Sequence, residues 1–293
     1  MAFTFAGLVL VIITASLVGF VFLLHPAIRK ATNTYSFWLC TGVVLMTYIA
    51  VFRFYPDIIT YATNQDRGST ATSKAFLLDI CPFMCFTMCA LMIIDYKRWI
   101  LRHVAPIAFF CGLVTIIPLI FSYGANPELT FQWIFLGIKP NALYFMLHLI
   151  MVVFGFMLML NNRQSLRACW WSAAVFAGFI AYVLTISNIF DVTNNVSGLV
   201  ANDWNAGGEF YYLGQFIDKT LKGNIEFGYK VGAIYIGSII VIFVWIAIVR
   251  LIQKLPPWND KYFVKIIPED MIIKDVFATD PPSEQQTNLE INS

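Results

Sequence analysis

The sequence predicts an all-α protein, a seven-helix polytopic transmembrane bundle with its N-terminus outside and its C-terminus in the cytosol. Of the 293 residues, 59% are apolar and 12% are charged, whereas a soluble domain has about 25% charged residues. Seven apolar stretches are long enough to cross a bilayer, and basic residues are concentrated in alternate loops between them. This composition excludes a soluble enzyme, a disordered protein and a nucleic-acid-binding protein.

The predicted spans are stretches of about 20 apolar residues, the length that crosses a hydrocarbon core of about 30 Å. They are residues 3–24, 36–55, 75–94, 104–123, 140–160, 169–190 and 229–252. The first stretch is interpreted as a membrane anchor rather than a signal peptide, because no basic residues precede it and no small-x-small cleavage site follows it. Residues 1–254 are therefore predicted to form one membrane domain.

Basic residues predict the orientation of the bundle. The loops after the first, third and fifth spans contain Arg29, Lys30, Lys97, Arg98, Arg102, Arg163 and Arg167. The loops on the opposite side are longer and more acidic, so the positive-inside rule places the N-terminus outside. The net charge of +2 is too small to predict a polyanionic partner.

Two segments outside the spans are also interpretable. Residues 209–222, in the external loop after the sixth span, have apolar residues at helical spacing: Phe210, Leu213, Ile217 and Leu221. We expect an amphipathic helix there, which is either a connector on the membrane surface or a lid over the bundle. Residues 255–293 are predicted to be a cytosolic tail, with about the last 15 residues disordered because of their polar composition.

Strongly polar side chains are rare within the spans, and they fall at a similar depth. Asp79 lies near the outer end of the third span, His148 in the fifth, and Asn188 near the outer end of the sixth. At about 1.5 Å per residue, all three lie in the outer half of the membrane. Three further polar residues follow the sixth span: Asp191, Thr193 and Asn194. Because an ionisable group in a bilayer is costly unless it is paired or hydrated, this convergence predicts a functional site.

Each candidate residue has a structural interpretation as well as a functional one. His148 is either an interhelical hydrogen-bonding residue or a general base. Asp79 is either a shallow group that reaches water or a partner that orients His148. Cys81, Cys85 and Cys89 recur every four residues, which is typical of small apolar packing. If Cys81 is instead a nucleophile, a base such as His148 must activate its buried thiol.

Pro82 and the positions of the cysteines give two further predictions. Pro82 is the residue after Cys81, and its missing N–H predicts a local irregularity in the helix of the third span. All six cysteines lie inside or at the edge of apolar runs, so no disulfide framework is predicted. No Cys or His spacing indicates a metal site.

The residues at this site resemble those of the bacterial YwaF-like integral membrane family. The resemblance rests on Leu78-x-x-Cys81 in the third span, His148 in the fifth, and Asn188-x-x-x-x-Thr193-Asn194 leaving the sixth, and it covers roughly residues 36–250. Through that family the chain is similar to the androgen-induced-gene hydrolases of fatty-acid esters and to an ether-phospholipid acyltransferase. The resemblance implies acyl chemistry carried by Cys81 and His148. The family usually has His-Leu-Cys where this chain has Asp79-Ile80-Cys81.

The leading hypothesis is an intramembrane acyl-ester hydrolase or lipid acyltransferase of the cell membrane, acting on lipids of the outer leaflet. Cys81 is the predicted nucleophile, His148 the base, and Asp79 an orienting or water-binding group. The polar residues at the end of the sixth span are predicted to bind substrate: Asn188, Asp191, Thr193 and Asn194. Membrane lipids are the expected partners, and this chemistry requires no cofactor. The alternatives are a substrate-binding subunit or transporter for a small solute, and a structural membrane protein without chemistry.

The predicted orientation can be tested by labelling introduced cysteines in intact cells. Ser69→Cys and Gly207→Cys should react with a membrane-impermeant thiol reagent, because both positions are predicted to be external. Gln164→Cys should remain unlabelled until the cells are permeabilised. Labelling of Gln164→Cys from outside would contradict the seven-span arrangement with an external N-terminus.

Overall fold

The computed structural model describes residues 13–14, 16–17, 32, 34–63, 69–123, 135, 143–162, 169–192 and 227–254. Within these residues the protein is helical and has no β-strand, as the sequence predicts. Almost all of the first predicted span, the predicted amphipathic segment 209–222 and the predicted tail 255–293 lie outside the described residues.

The described helices follow the predicted spans in chain order. They are α1 (Tyr35–Ile49), a π-helical turn (Ala50–Phe54), α2 (Tyr55–Thr63), α3 (Ser69–Ala75), α4 (Ile80–Ile94), α5 (Leu101–Tyr123), α6 (Tyr144–Asn161), α7 (Cys169–Ile189) and α8 (Phe227–Lys254).

Five helical segments of the described chain are long and apolar enough to cross a membrane. They are Tyr35–Thr63, Thr70–Ile94, Tyr144–Asn161, Cys169–Ile189 and Tyr235–Ile252. A shorter apolar helix, Leu101–Ile116, overlaps the fourth predicted span. The described chain therefore has the character of a membrane protein.

The second helical segment extends beyond the predicted end of its span at residue 55. The π-helical turn leads directly into α2, which continues to Thr63. Nε of Arg53 lies 3.0 Å from Oδ2 of Asp57, and the two side chains are 10% and 12% exposed. Because each charge compensates the other, both can lie inside an apolar helical segment.

The third predicted span is interrupted rather than continuous. α3 ends at Ala75 and α4 begins at Ile80, with Leu77 between them in the left-handed region at φ 54°. The break therefore precedes Pro82, which lies in the first turn of α4, where a missing N–H costs no intrahelical bond. The Tyr182 hydroxyl, from α7, donates a hydrogen bond of 2.5 Å to the Phe76 carbonyl at the break.

α6 is the central helix of the described bundle. Its side chains are buried around most of its circumference, as expected for a helix that is apolar on all sides. α5 packs along it, α4 packs between α1 and α5, and α7 contacts α5. α8 lies at the periphery and exposes many apolar side chains, including Val244 and Leu251.

Two glycines let the backbones of α5 and α6 approach closely. A Cβ atom at Gly112 would lie 2.7 Å from the His148 carbonyl oxygen, and one at Gly155 would lie 3.0 Å from Phe109. Small residues at such points are the usual means by which membrane helices pack backbone to backbone. The contact at Gly112 therefore fixes the position of His148 against α5.

A tight turn makes α5 run antiparallel to α4. The Asp95 carboxylate accepts hydrogen bonds from the backbone N–H groups of Trp99, Ile100 and Leu101 at 3.0, 2.8 and 2.8 Å. These bonds satisfy donors that a helix start leaves unpaired. Arg98 lies in the turn at φ 57°, and burial lowers the pKa of Arg98 while the Asp95 carboxylate opposes that shift.

The contact at Gly112 can be tested by thermal unfolding in detergent. Gly112→Ala should lower stability by about 1–3 kcal/mol, because the new methyl group would press on the His148 carbonyl. The matched control is Gly178→Ala on α7, where a Cβ atom would meet nothing within 4 Å. The control should be neutral or stabilising by up to about 1 kcal/mol, since alanine favours a helix over glycine. Equal effects of the two substitutions would contradict the close packing of α5 on α6.

Candidate functional site

His148 is held in one orientation by its own helix. Its Nδ1 lies 2.5 Å from the Tyr144 carbonyl oxygen, and the Tyr144 ring packs on the imidazole with centroids 4.5 Å apart. A carbonyl oxygen only accepts, so we assign the proton to Nδ1, which leaves Nε2 of the neutral ring as an acceptor. The side chain is 2% exposed, and Nε2 has no hydrogen-bond partner among the described residues. The site therefore contains an oriented, buried base with an unused lone pair.

Cys81, the predicted nucleophile, lies on a different helix from His148. It is the second residue of α4 and is 7% exposed. The imidazole of His148 and the thiol of Cys111 on α5 are near enough to influence the Cys81 thiol electrostatically. Nε2 of His148 forms no hydrogen bond to Cys81 or to any other described residue, so proton transfer would require the thiol to turn towards it.

Thr115 completes the surroundings of the Cys81 thiol. Its hydroxyl donates to the Cys111 carbonyl at 3.0 Å, and Sγ of Cys81 lies 3.8 Å from the same hydroxyl oxygen. Since the hydroxyl proton is already used, the thiol donates and Thr115 accepts. Cys85, one turn further along α4, donates its thiol to the Leu147 carbonyl of α6 at 3.8 Å. The Cys81 thiol thus donates to the Thr115 hydroxyl, a weak acceptor, rather than to His148, a stronger base.

The position of Cys81 in α4 also affects its charge. The first turn of a helix has unpaired N–H groups and the positive end of the helix dipole, which favour a thiolate. Apolar burial opposes that charge. A proton moved from Cys81 to His148 would create an adjacent ion pair, so the imidazole is the group that can compensate the thiolate.

Nδ1 of His148 is bonded to the Tyr144 carbonyl rather than to Asp79. Asp79 is the residue immediately before α4 and is in extended conformation, at φ −77° and ψ 136°. Its side chain forms no capping hydrogen bond, whereas its carbonyl accepts from the Phe83 N–H at 3.2 Å. The side chain is partly exposed, which agrees with the alternative that it reaches water.

Two of the four predicted substrate-binding residues lie in the described part of the chain. Asn188 and Asp191 are exposed at the end of α7, and Asp191 has φ 48°. Thr193 and Asn194 lie outside the described residues. The inward-facing polar residue is Ser187, which is 6% exposed and whose Oγ has no partner among the described residues. Helical spacing could have found it, because Phe176, Phe179 and Val183 form the same buried face of α7.

A second polar feature was not predicted from the sequence. The Arg53–Asp57 ion pair lies at the π-helical turn, and Lys74 of α3 also attracts the Asp57 carboxylate. π-helical turns inside α-helices are frequent at functional sites. In the sequence, this ion pair is indicated by two opposite charges four residues apart at the end of an apolar stretch.

The cysteines of the described chain are not used in disulfides or in a metal centre. All six cysteines of the sequence are described, and all six are free thiols. No group of three or more His, Cys, Asp or Glu side chains among the described residues is arranged to hold a metal ion.

Comparison with known proteins identifies the family of the chain. The model of a family of unknown function, DUF5378, matches residues 8–269. The chain belongs to this family. The match includes both Cys81 and His148, so the candidate site lies within the DUF5378 region.

Two mycoplasma proteins are similar to this DUF5378 member over most of their length. The uncharacterized protein MG135 of Mycoplasma genitalium is 24% identical over 282 residues, covering 92% of this chain and 96% of that protein. The uncharacterized MG135 homolog of Mycoplasma pneumoniae is 26% identical over 257 residues, covering 82% and 88% respectively. No solved structure matches the chain.

The interaction of His148 with Cys81 can be tested by alkylation with a membrane-permeant maleimide. His148→Asn retains an N–H that can donate to the Tyr144 carbonyl but removes the Nε2 lone pair. We expect alkylation of Cys81 to slow by about 10²–10⁴-fold, the range for loss of a general base. Exposed Cys40 is the internal control, and its rate should not change. Equal Cys81 rates in the two proteins would show that His148 does not activate the thiol.

Proposed function

We propose that the protein is a seven-span integral protein of the cell membrane that hydrolyses or transfers acyl groups of outer-leaflet lipids. Its N-terminus is external and its C-terminus cytosolic. The observation that carries this proposal is the buried Nε2 of His148, which has no partner in the described part of the chain and is near enough to influence the Cys81 thiol electrostatically. The resemblance to the YwaF-like family and its acyl-ester relatives supports the same chemistry.

The proposed reaction begins with transfer of the Cys81 proton to Nε2 of His148. The thiolate attacks the carbonyl carbon of a lipid ester, and a C–S bond forms as the C–O bond to the alcohol breaks. The departing alkoxide takes the proton back from Nε2, which leaves an acyl thioester on Cys81. His148 then deprotonates water in a hydrolase, or a lipid hydroxyl in a transferase, and the new oxygen nucleophile releases the acyl group and restores the thiol.

The tetrahedral intermediate of this reaction needs hydrogen-bond donors for its oxyanion. The backbone N–H of Cys81 is suited to this, because an N–H in the first turn of a helix has no carbonyl four residues earlier in the helix to bond to. Cys81 lies in this turn, and the helix begins there because of the break at Leu77. The acyl chain would lie among methionines, which fit irregular apolar ligands, such as Met84, Met88 and Met151, all of them buried.

Two observations favour the second candidate, a binding subunit or transporter for a small solute. The helix break between Ala75 and Ile80 and the buried Arg53–Asp57 pair are features that transporters use to bind substrates within the membrane. In that case the polar groups of the outer half would bind a solute without forming a covalent bond.

The acyl-transfer proposal is tested with the purified full-length protein and an alkyne-tagged long-chain p-nitrophenyl ester. We expect a hydroxylamine-labile adduct on Cys81, which identifies a thioester. Cys81→Ala should abolish the adduct, and His148→Asn should slow its formation by about 10²–10⁴-fold. The matched control is Cys89→Ala, a fully buried thiol two turns along the same helix, which should behave as the wild type.

The double variant of Cys81 and His148 distinguishes catalysis from folding. Because both residues act in the same step, the double variant should be no less active than Cys81→Ala alone. Acylation that persists without Cys81 would overturn the proposal. Saturable binding of a solute that is unaffected by Cys81→Ala, without any adduct, would instead support the transport or binding function.

A further inference from the structure

Cys111 is a buried nucleophile that the acyl mechanism does not use. It is 8% exposed and lies on α5, one turn before Thr115. Residues four apart share a helix face, and the Thr115 hydroxyl is 3.8 Å from the Cys81 thiol. Cys111 is therefore on the face that α5 turns towards Cys81, and its thiol is near enough to influence the Cys81 thiol electrostatically. Two cysteines from separate helices thus meet beside one base.

We propose that Cys81 and Cys111 form a redox-active thiol pair that reduces a hydroperoxide dissolved in the membrane, with His148 as the base. This activity uses the same thiol and imidazole as the proposed acyl site but does not depend on acyl transfer. It assigns to Cys111 the role of resolving thiol.

The first step is a two-electron oxidation of Cys81. His148 Nε2 takes the thiol proton, and the thiolate attacks the terminal oxygen of R–O–O–H. The S–O bond forms as the O–O bond breaks, and the leaving alkoxide takes the proton from Nε2 to give the alcohol R–OH. Cys81 is now a sulfenic acid, the first and reversible level of cysteine oxidation.

The second step closes a disulfide. The sulfur of Cys111 attacks the sulfur of the Cys81 sulfenic acid, so an S–S bond forms and the S–O bond breaks. The departing hydroxide takes the proton of Cys111 and leaves as water. A dithiol reductant then restores both thiols by thiol–disulfide exchange.

Burial argues for a hydrophobic oxidant rather than hydrogen peroxide. Cys81 and Cys111 are 7% and 8% exposed and belong to the same buried apolar cluster as Met84, Ala108 and Met151. A hydroperoxide of a fatty acyl chain or of a similar apolar molecule partitions into such surroundings, whereas hydrogen peroxide is stabilised by water.

Cys85 and Cys89 are a second pair of neighbouring thiols, but they cannot form a disulfide. Cys85 and Cys89 also interact, but they are four residues apart in one helix. Their Cβ atoms are therefore about 5–6 Å apart, whereas a disulfide requires about 3.5–4.5 Å. The Cys85 thiol is further held by the Leu147 carbonyl. These two residues serve as an internal comparison for Cys81 and Cys111.

The test uses the reduced full-length protein in detergent with one equivalent of cumene hydroperoxide. After remaining thiols are blocked, peptide mass spectrometry should find Cys81 linked to Cys111, with release of one equivalent of cumyl alcohol. In Cys111→Ala the alcohol should still form, but Cys81 should remain a sulfenic acid that dimedone traps. His148→Asn should slow alcohol release by about 10²–10⁴-fold. The matched control, Cys85→Ala, should form the Cys81–Cys111 link normally.

The wild-type measurement decides the proposal without relying on the folding of any variant. Hydroperoxide that is not consumed, or a disulfide that joins Cys81 to any cysteine other than Cys111, would overturn it. Cumene hydroperoxide should react faster than hydrogen peroxide, and the reverse order would refute an apolar substrate. The acyl reaction is measured separately, because Cys111→Ala should leave thioester formation on Cys81 unchanged. Failure of one activity is thus distinguishable from failure of the other.

Discussion

The close approach of α5 to α6 at Gly112 is the constraint on which the candidate site depends. A Cβ atom there would lie 2.7 Å from the His148 carbonyl oxygen, so the two backbones touch at the residue that supplies the base. In a membrane, helix association comes largely from such packing, because lipid tails are as apolar as the side chains they replace. The contact keeps the imidazole beside the face of α5 that contains Cys111 and Thr115. Cys81 then reaches the base by packing on that same face.

The break in the helix near the start of the third predicted span determines where Cys81 lies within α4. A continuous helix would have placed Cys81 in its middle, where every N–H is already bonded. The left-handed conformation of Leu77 ends one helix and allows another to begin at Ile80, so Cys81 lies in the first turn of a helix. The Tyr182 hydroxyl compensates a carbonyl at the break, which would otherwise be unsatisfied in an apolar medium. The α7 helix thus stabilises a conformation that α4 could not maintain alone.

The sequence predicted the parts of the structure that follow from periodicity and from the cost of polar groups in lipid. Apolar stretches predicted the described helices, and the rarity of polar residues in the spans indicated Cys81 and His148. The break at Leu77 could not be predicted in the same way, because it depends on a tertiary hydrogen bond from Tyr182. Asn188 is exposed and Ser187 is buried, since the side chains of neighbouring residues point about 100° apart on a helix. The Arg53–Asp57 pair was missed because each residue was considered alone, and only the pair can be buried.

The resting arrangement of Cys81 explains how one thiol could remain inert until a substrate arrives. Its S–H group donates to Thr115, whose own proton is fixed on the Cys111 carbonyl, while Nε2 of His148 remains unpartnered among the described residues. Proton transfer would require the Cys81 thiol to turn from the Thr115 hydroxyl towards the imidazole. The thiolate formed in this way is stabilised by the adjacent imidazolium and by the start of α4, both of which act more strongly where water is excluded. An electrophile that occupies the space beside Thr115 would favour that rotation, so generation of the nucleophile would be coupled to binding. Whether the sulfur then meets an ester carbon or a peroxide oxygen depends on which molecule reaches it, because both reactions begin with the same proton transfer.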